Sequence, residues 1–364
     1  MSAMPPLIVI RADASSLIGS GHVRRCQSLA EALLDQGAAV LFVVRAGMSG
    51  EALFDGRALN TVFLPPRTAS AAVRHDDPAH AHWLGASWQD DAADTLEILG
   101  ERKVAAVVVD HYALDARWHA QVSERLDCKI VAIDDLADRP LAAALIVDHN
   151  HAESHARKYA VANQHASPIL GGPHFALLGR RFRSASRNPA AADVRSIGIF
   201  MGGIDLENYS ERVVRGLRDT ADFNGDLEIV STRSNPNLVD LLRLAELDGR
   251  CSVSLDLPDL ADFFGRHELH IGAGGGATWE RCCVGAPSLA VIVADNQRQV
   301  LDPLARLDVL AVTDMPAPDA TAIGARARAL IDSPALRLQL SHNAKELVDG
   351  QGCVRVAREI ESLC

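Results

Sequence analysis

The sequence predicts an α/β protein of two Rossmann-like domains whose parallel sheets face a cleft. Three observations predict it. The chain has 364 residues, more than one hydrophobic core normally carries. Short apolar runs recur, each followed by a polar or glycine-bearing loop and then by helical spacing. A small, polar, proline-containing stretch, SASRNPAAAD over 184–193, interrupts this alternation near the middle. Apolar residues make up 48% of the chain and charged residues 23%, which supplies two cores and excludes global disorder.

The first expected strand is Leu7–Arg11. Val23–Gln36 follows with Val23, Cys26, Leu29, Ala30, Leu33 and Leu34 on one side, a helix stopped by Gly37, and Ala38–Arg45 completes a β-α-β unit. Further strands are expected at Thr61–Leu64, Val104–Asp110, Lys129–Asp134 and Leu145–Asp148. VAAVVVD is apolar throughout rather than alternating, as a strand covered by helices on both faces requires. Beyond the linker, strands are expected at Ser196–Met201, Leu227–Ser231, Ser252–Leu255, Leu269–Ile271 and Ser288–Val293. They alternate with helices at Leu206–Leu217, Leu238–Ala245, Pro258–Phe264, Ala277–Val284 and Gln297–Leu307. Three last helices, Ile323–Asp332, Ala335–Val348 and Val354–Leu363, have no strand between them. The domains are therefore expected at 1–183 and 194–340, joined by 184–193, with 341–364 crossing back to the first.

Composition limits the partners. Acidic residues exceed basic ones by 47 to 36, a formal charge of −11, and no basic run offers a counterion-releasing stripe, so nucleic acid is not an expected partner. No stretch reaches the roughly 18 apolar residues that span a bilayer, and the first residues do not read as a signal peptide, so a cytoplasmic location without membrane insertion is expected. Seven scattered cysteines form neither a disulfide framework nor a metal pattern.

In parallel sheets ligands bind beyond the carboxyl ends of the strands. In the loop of residues 11–22, Gly19 and Gly21 let the backbone approach a ligand, and His22 opens a helix whose positive end favours a neutral ring able to act as a base. A capping histidine in a glycine turn accounts for the same residues. Residues 272–280, GAGGGATWE, form a glycine loop before a helix, where successive N–H groups of Gly274, Gly275, Gly276, Ala277 and Thr278 suit a phosphate. Glu280, one turn on, suits a ribose hydroxyl. A glycine turn for close helix packing accounts for the same residues. The 272–280 loop is not a P-loop and the GxGH of the first loop is not a GxGxxG fingerprint, and no cofactor is expected. Gly202 and Gly203 make a third strand-end loop, and Asn296 and Gln297 a fourth, able to bind a phosphate or a sugar or simply to cap a helix. Asp110 and Asp134–Asp135 also end strands, as sugar ligands or as caps. Asp148, His149, His151 and His155 raise a metal reading, but no motif of spaced ligands accompanies them, and no metal site is expected.

These motifs have a family resemblance. RADASSLIGSGHVRRCQSLAEAL, VVVDHYALD, IDDLADRP, FMGGIDLEN, STRSNPNL, IGAGGGATWERCCVGAPSLAVIVADNQ and DGQGCVRVA resemble, in order, the UDP-2,4-diacetamido-2,4,6-trideoxy-β-L-altropyranose hydrolases of pseudaminic acid biosynthesis, the PseG family, over nearly the whole chain. The combination of GxGHxxR with the glycine-rich segment through Trp279-Glu280-Arg281 is the most specific part. That family is similar in architecture to the GT-B glycosyltransferases, so the resemblance implies a GT-B-like fold and metal-independent hydrolysis of a UDP-sugar, in a pathway tied to flagellin glycosylation and linked to its other enzymes. By position it implies that His22 is catalytic, that Gly274–Gly276 and the following helix hold the diphosphate, that Glu280 meets the ribose, that Asn296 and Gln297 meet phosphate or sugar, and that Asp13 and Tyr112 lie near the sugar. GAGGGAT departs from more serine- and threonine-rich versions of the loop. Two other functions share these features: a GT-B glycosyltransferase that passes the sugar to an acceptor, and a non-catalytic nucleotide-sugar-binding protein.

Overall fold

The computed structural model describes residues 4–15, 17–48, 51–55, 58–67, 74–185, 193–293 and 297–364. Two compact units divide the chain, Met1–Gly179 with Gln351–Cys364, and Arg180–Gly350. The expected linker 184–193 lies largely outside the described residues.

The first unit contains β1 (Leu7–Ala12), α1 (Gly21–Asp35), β2 (Ala39–Arg45), β3 (Thr61–Leu64), α2 (Trp88–Leu99), β4 (Ala106–Asp110), α3 (Ala116–Leu126), β5 (Lys129–Ile133), β6 (Leu145–Asp148), the short α4 (His155–Lys158) and β7 (Ile169–Gly171). Among the described residues its sheet is parallel throughout, in the order β3-β2-β1-β4-β5-β6-β7. The apolar runs supply both faces. Ile8, Ile10 and Val108 point into a core shared with α1, while Val9, Val107 and Val109 point into one shared with α2 and α3. Each fully buried side chain of this kind stabilises the fold by about 1.5–3 kcal/mol.

The second unit runs α5 (Arg180–Ser184), β8 (Ser196–Phe200), α6 (Tyr209–Arg215), β9 (Asp226–Ser231), α7 (Leu238–Asp248), β10 (Cys251–Leu255), α8 (Ala261–Arg266), β11 (Leu269–Ala273), α9 (Ala277–Val284), β12 (Ser288–Val291), α10 (Arg298–Arg306), β13 (Ala311–Val312), α11 (Ala320–Ile331) and α12 (Pro334–Leu347). Its sheet is also parallel, in the order β10-β9-β8-β11-β12-β13. The helix expected from Leu206 starts at Tyr209 because Asp205 caps it, accepting from the backbone N–H groups of Tyr209 and Ser210 at 2.8 Å each. The helix then widens into a π-turn over Gly216–Thr220. The final helix, α13 (Gly352–Ser362), packs against α1, and its Cys353, Val356, Ala357 and Ile360 complete the first unit's core.

Strand order reverses once in each sheet, between β1 and β4 and between β8 and β11. The carboxyl ends of these strand pairs are where such sheets leave a crevice for ligands. Among the described residues, no helix is long and apolar enough to cross a membrane.

Candidate active site

In the first unit, the loop after β1 is organised by Ser15, whose Oγ accepts from Leu17 N and Ile18 N at 3.2 and 3.1 Å. Gly19, at φ +76°, returns its N–H to Ser15 O. That turn delivers the chain to α1 with Gly21 first and His22 second. Because β4 is paired with β1, with Ala12 opposite Asp110, the carboxylate that ends β4 stands beside the start of α1.

His22 Nδ1 lies 2.6 Å from Asp110 Oδ1. Arg25, one turn further along α1, grips the same carboxylate through Nε to Oδ2 and Nη2 to Oδ1, both at 2.6 Å. Burial alone would raise the Asp110 pKa, but the charge of Arg25, aided by His22, holds it well below the usual carboxylate range. An ionised carboxylate can only accept, so Nδ1 of His22 carries a proton, and in the neutral ring the lone pair is then on Nε2. Arg25 Nη2 and His22 Nδ1, 3.2 Å apart, are then two donors converging on one oxygen.

Asp135 extends this cluster past β5. It accepts the hydroxyl of Tyr112 in a short hydrogen bond and Asn150 Nδ2 at 3.2 Å, and lies 3.6 Å from Arg25 Nη1. Tyr112 sets its ring edge-on to His22, with centroids 4.6 Å apart. His149, just beyond β6, places Nε2 3.5 Å from Arg25 Nη1. Burial, then the Arg25 charge, pushes its pKa down to about 4, so it is neutral near pH 7.

His22, Gly19, Gly21 and Tyr112 thus gather at one end of the sheet. Asp13, expected beside the sugar, is instead wholly buried: Arg11 donates to its two oxygens at 2.6 and 2.7 Å, and Arg45 N donates at 2.8 Å. Its carboxylate is used in an internal ion pair that continues from Arg11 to Asp91 and on to Arg45 and Asp94. The histidines at 149–155 separate. His149 joins the cluster, whereas His155 Nε2 meets Asn150 O at 3.0 Å with its ring against Gly171. Among the described residues, no three His, Cys, Asp or Glu side chains group so as to hold a metal ion. Sequence reasoning did not assign Arg25; its signal was the GHxxR spacing, which puts positions i and i+3 on one helix face.

In the second unit, the glycine loop after β11 opens α9. Gly275 takes φ +116°, a conformation that side-chain-bearing residues rarely adopt, and is exposed with Gly276, which forms the N-cap of α9 without any side-chain cap. Gln297 lies against Gly274 and accepts from Val293 N at 3.1 Å, so it belongs to the same corner. Asn296 lies outside the described residues. Gly202, at φ +98°, and Gly203 form the loop after β8, with Thr232 Oγ1 donating to Gly203 O at 2.6 Å. Thr278 is buried and its Oγ1 accepts from Arg281 at 3.2 Å, while Glu280 is partly exposed one turn into α9. Arg281 also donates to Ala273 O at 3.1 Å. Burial lowers its pKa to about 10, which leaves a charged guanidinium under the loop.

Comparisons with known proteins agree with this architecture. No family model matches the chain. It is 23% identical over 275 residues to the spore coat polysaccharide biosynthesis protein SpsG of Bacillus subtilis, covering 74% of this chain and 79% of that one. It is 21% identical over 299 residues to the UDP-2,4-diacetamido-2,4,6-trideoxy-β-L-altropyranose hydrolase of Campylobacter jejuni, covering 82% and 96%. Among solved structures, MurG of Acinetobacter baumannii superposes with a TM-score of 0.68 at 13% identity over 98% of this chain and 100% of that one. A UDP-glucosyltransferase from Polygonum tinctorium reaches 0.70 at 13% identity over 100% and 99%. The fold is the GT-B fold.

Proposed function

We propose that this chain is a UDP-sugar hydrolase that releases UDP and the free sugar from UDP-2,4-diacetamido-2,4,6-trideoxy-β-L-altropyranose without a metal ion. The observation that carries the reading is the His22–Asp110 pair braced by Arg25, which leaves Nε2 of His22 as a base at a strand-order reversal. The distant likeness to the Campylobacter jejuni hydrolase supports the substrate.

In this mechanism His22 Nε2 takes a proton from water as the water oxygen bonds to the anomeric carbon. The bond from that carbon to the β-phosphate oxygen breaks, its electron pair leaves on UDP, and the anomeric centre is inverted. Asp110 holds the ring in the required tautomer and stabilises the imidazolium that forms. The charge developing on UDP is met by the N–H groups of Gly274–Gly276 and the start of α9, with Arg281 adding positive charge beneath them. Glu280 binds the ribose, Asn296 and Gln297 bind phosphate or sugar, and Tyr112 lines the sugar side.

The test is a proton NMR time course of the EDTA-treated protein with this substrate. UDP release with the inverted anomer appearing first supports the reading, and His22→Asn should lower turnover at least roughly a hundredfold while leaving UDP affinity unchanged. UDP release only when an acceptor alcohol is present would make the protein a glycosyltransferase. UDP binding with no turnover of any UDP-sugar would make it a binding protein.

A further inference from the structure

We infer that His80 and Trp83, together with Tyr112, form an aromatic platform that selects a sugar by its methyl groups; this rests on the reading that the sugar is bound at His22. The geometry is a row of rings ending at the proposed base. His80 and Trp83 have centroids 4.4 Å apart, Trp83 and Tyr112 5.9 Å, His80 and Tyr112 5.7 Å, and Tyr112 and His22 4.6 Å. Trp83 lies in a single 3-10 turn, Ala81–Leu84, which His80 precedes as N-cap and Gly85 closes at φ +67°.

These rings are not core packing. Leu84, 1% exposed, already anchors the turn in the hydrophobic core, whereas His80, Trp83 and Tyr112 are only partly buried and lie outside the core clusters. Trp118 shows what a structural tryptophan looks like in this unit: it is fully buried, and its Nε1 donates to Asp91 at 3.0 Å. The row also carries little charge and has its phenol engaged. The Tyr112 hydroxyl is given to Asp135, and burial lowers the His80 pKa, which favours an uncharged ring. The row therefore offers mainly ring surface, which gains more by covering C–H and methyl groups than by facing charge or hydroxyls. A 6-deoxy sugar carrying acetamido groups presents such methyls, and a sugar with a hydroxymethyl group at that carbon presents one fewer.

The experiment compares wild type, Trp83→Ala, Trp83→Phe and His80→Ala in UDP release from UDP-2,4-diacetamido-2,4,6-trideoxy-β-L-altropyranose, with UDP affinity by calorimetry and melting temperature measured alongside. The expected result is a KM raised roughly tenfold or more in both alanine variants, largely restored in Trp83→Phe, with kcat and UDP affinity within about twofold of wild type. An unchanged KM overturns the platform. So does a KM that rises only together with losses of UDP affinity and melting temperature, which is the signature of a structural role. If wild type releases no UDP, the hydrolase reading fails separately, and saturation-transfer NMR decides the platform on the intact UDP-sugar. Transfer to the sugar methyls in wild type that is lost in Trp83→Ala supports it, and absence of that transfer in wild type overturns it.

Discussion

Replacing Asp110 by asparagine keeps the shape of the side chain and removes its charge. The native carboxylate accepts from His22 Nδ1 and Arg25 Nη2 on one oxygen and from Arg25 Nε on the other, all at 2.6 Å. An amide has one accepting end. If its oxygen faces His22, its NH2 confronts Arg25 Nε. If it turns over, the NH2 faces Nδ1, drives the imidazole proton to Nε2 and blocks the base. Either orientation leaves Arg25, whose side chain is only 13% exposed, with the Asp135 carboxylate at 3.6 Å as its remaining ion pair among the described residues of the cluster. Stranding a buried charge in this way costs about 3–5 kcal/mol, which in a unit of this size lowers the melting temperature by roughly 6–20 °C. Loss of the correct tautomer should lower kcat by about 10²–10⁴-fold, or about 3–5 kcal/mol in the barrier. The assay is the rate of UDP release, measured well below the variant's melting temperature, beside a calorimetric scan. A folded Asp110→Asn protein that turns over within fivefold of wild type would refute the reasoning.

Two further outcomes follow from other parts of the molecule. Gly272→Ala would set a Cβ 2.5 Å from both Arg281 Nη1 and the backbone oxygen of Phe200, so a thermal melt should show about 1–3 kcal/mol of destabilisation, and an unchanged melt would mean that β11 yields more easily than its packing implies. The second concerns pH. Burial, with Arg25, holds His149 at about 4, and burial, with Arg139, holds His119 at about 3, against about 6.5 for a free histidine. The unfolded chain takes up these protons below pH 6.5 and the folded one does not, so stability should fall as pH drops from 6.5 towards 4. Melting temperatures of His149→Phe at pH 7, 6 and 5 should show a shallower decline than wild type; an identical decline removes His149 from the effect. Asp110 acts in a lower window, because its depressed pKa contributes stability that is present above about pH 4 and lost below it.

The strands were legible because a parallel sheet buried on both faces writes itself as an unbroken apolar run, and VAAVVVD contains all of β4. What escaped had physical reasons. The strands β7, of three residues, and β13, of two, are too short to carry a pattern. The α2 sequence WQDDAADTLEIL hides its buried face because Asp91, Asp94 and Thr95 occupy it, and the two aspartates pair there with Arg11, Arg45 and Arg67. The same network explains Asp13, which the family resemblance placed near the sugar and which Arg11, two residues back, holds in an internal ion pair. His22 was legible from its glycine loop. Its partner was not, since Asp110 was equally readable as a cap or as a sugar ligand, and it stands 88 positions along the chain, brought near by the pairing of β1 with β4.

The return of α13 to the first unit sets an order on synthesis. Residues up to Gly179 emerge from the ribosome first, yet their core lacks Cys353, Val356, Ala357 and Ile360 until some 170 further residues have been made, the span occupied by Arg180–Gly350. The second unit is contiguous and can close while the first still waits with the core between its sheet and α1 incomplete. The half that carries His22 is therefore the last to be finished, and a released chain truncated after Gly350 would hold the glycine loop in a complete unit and the proposed base in an incomplete one.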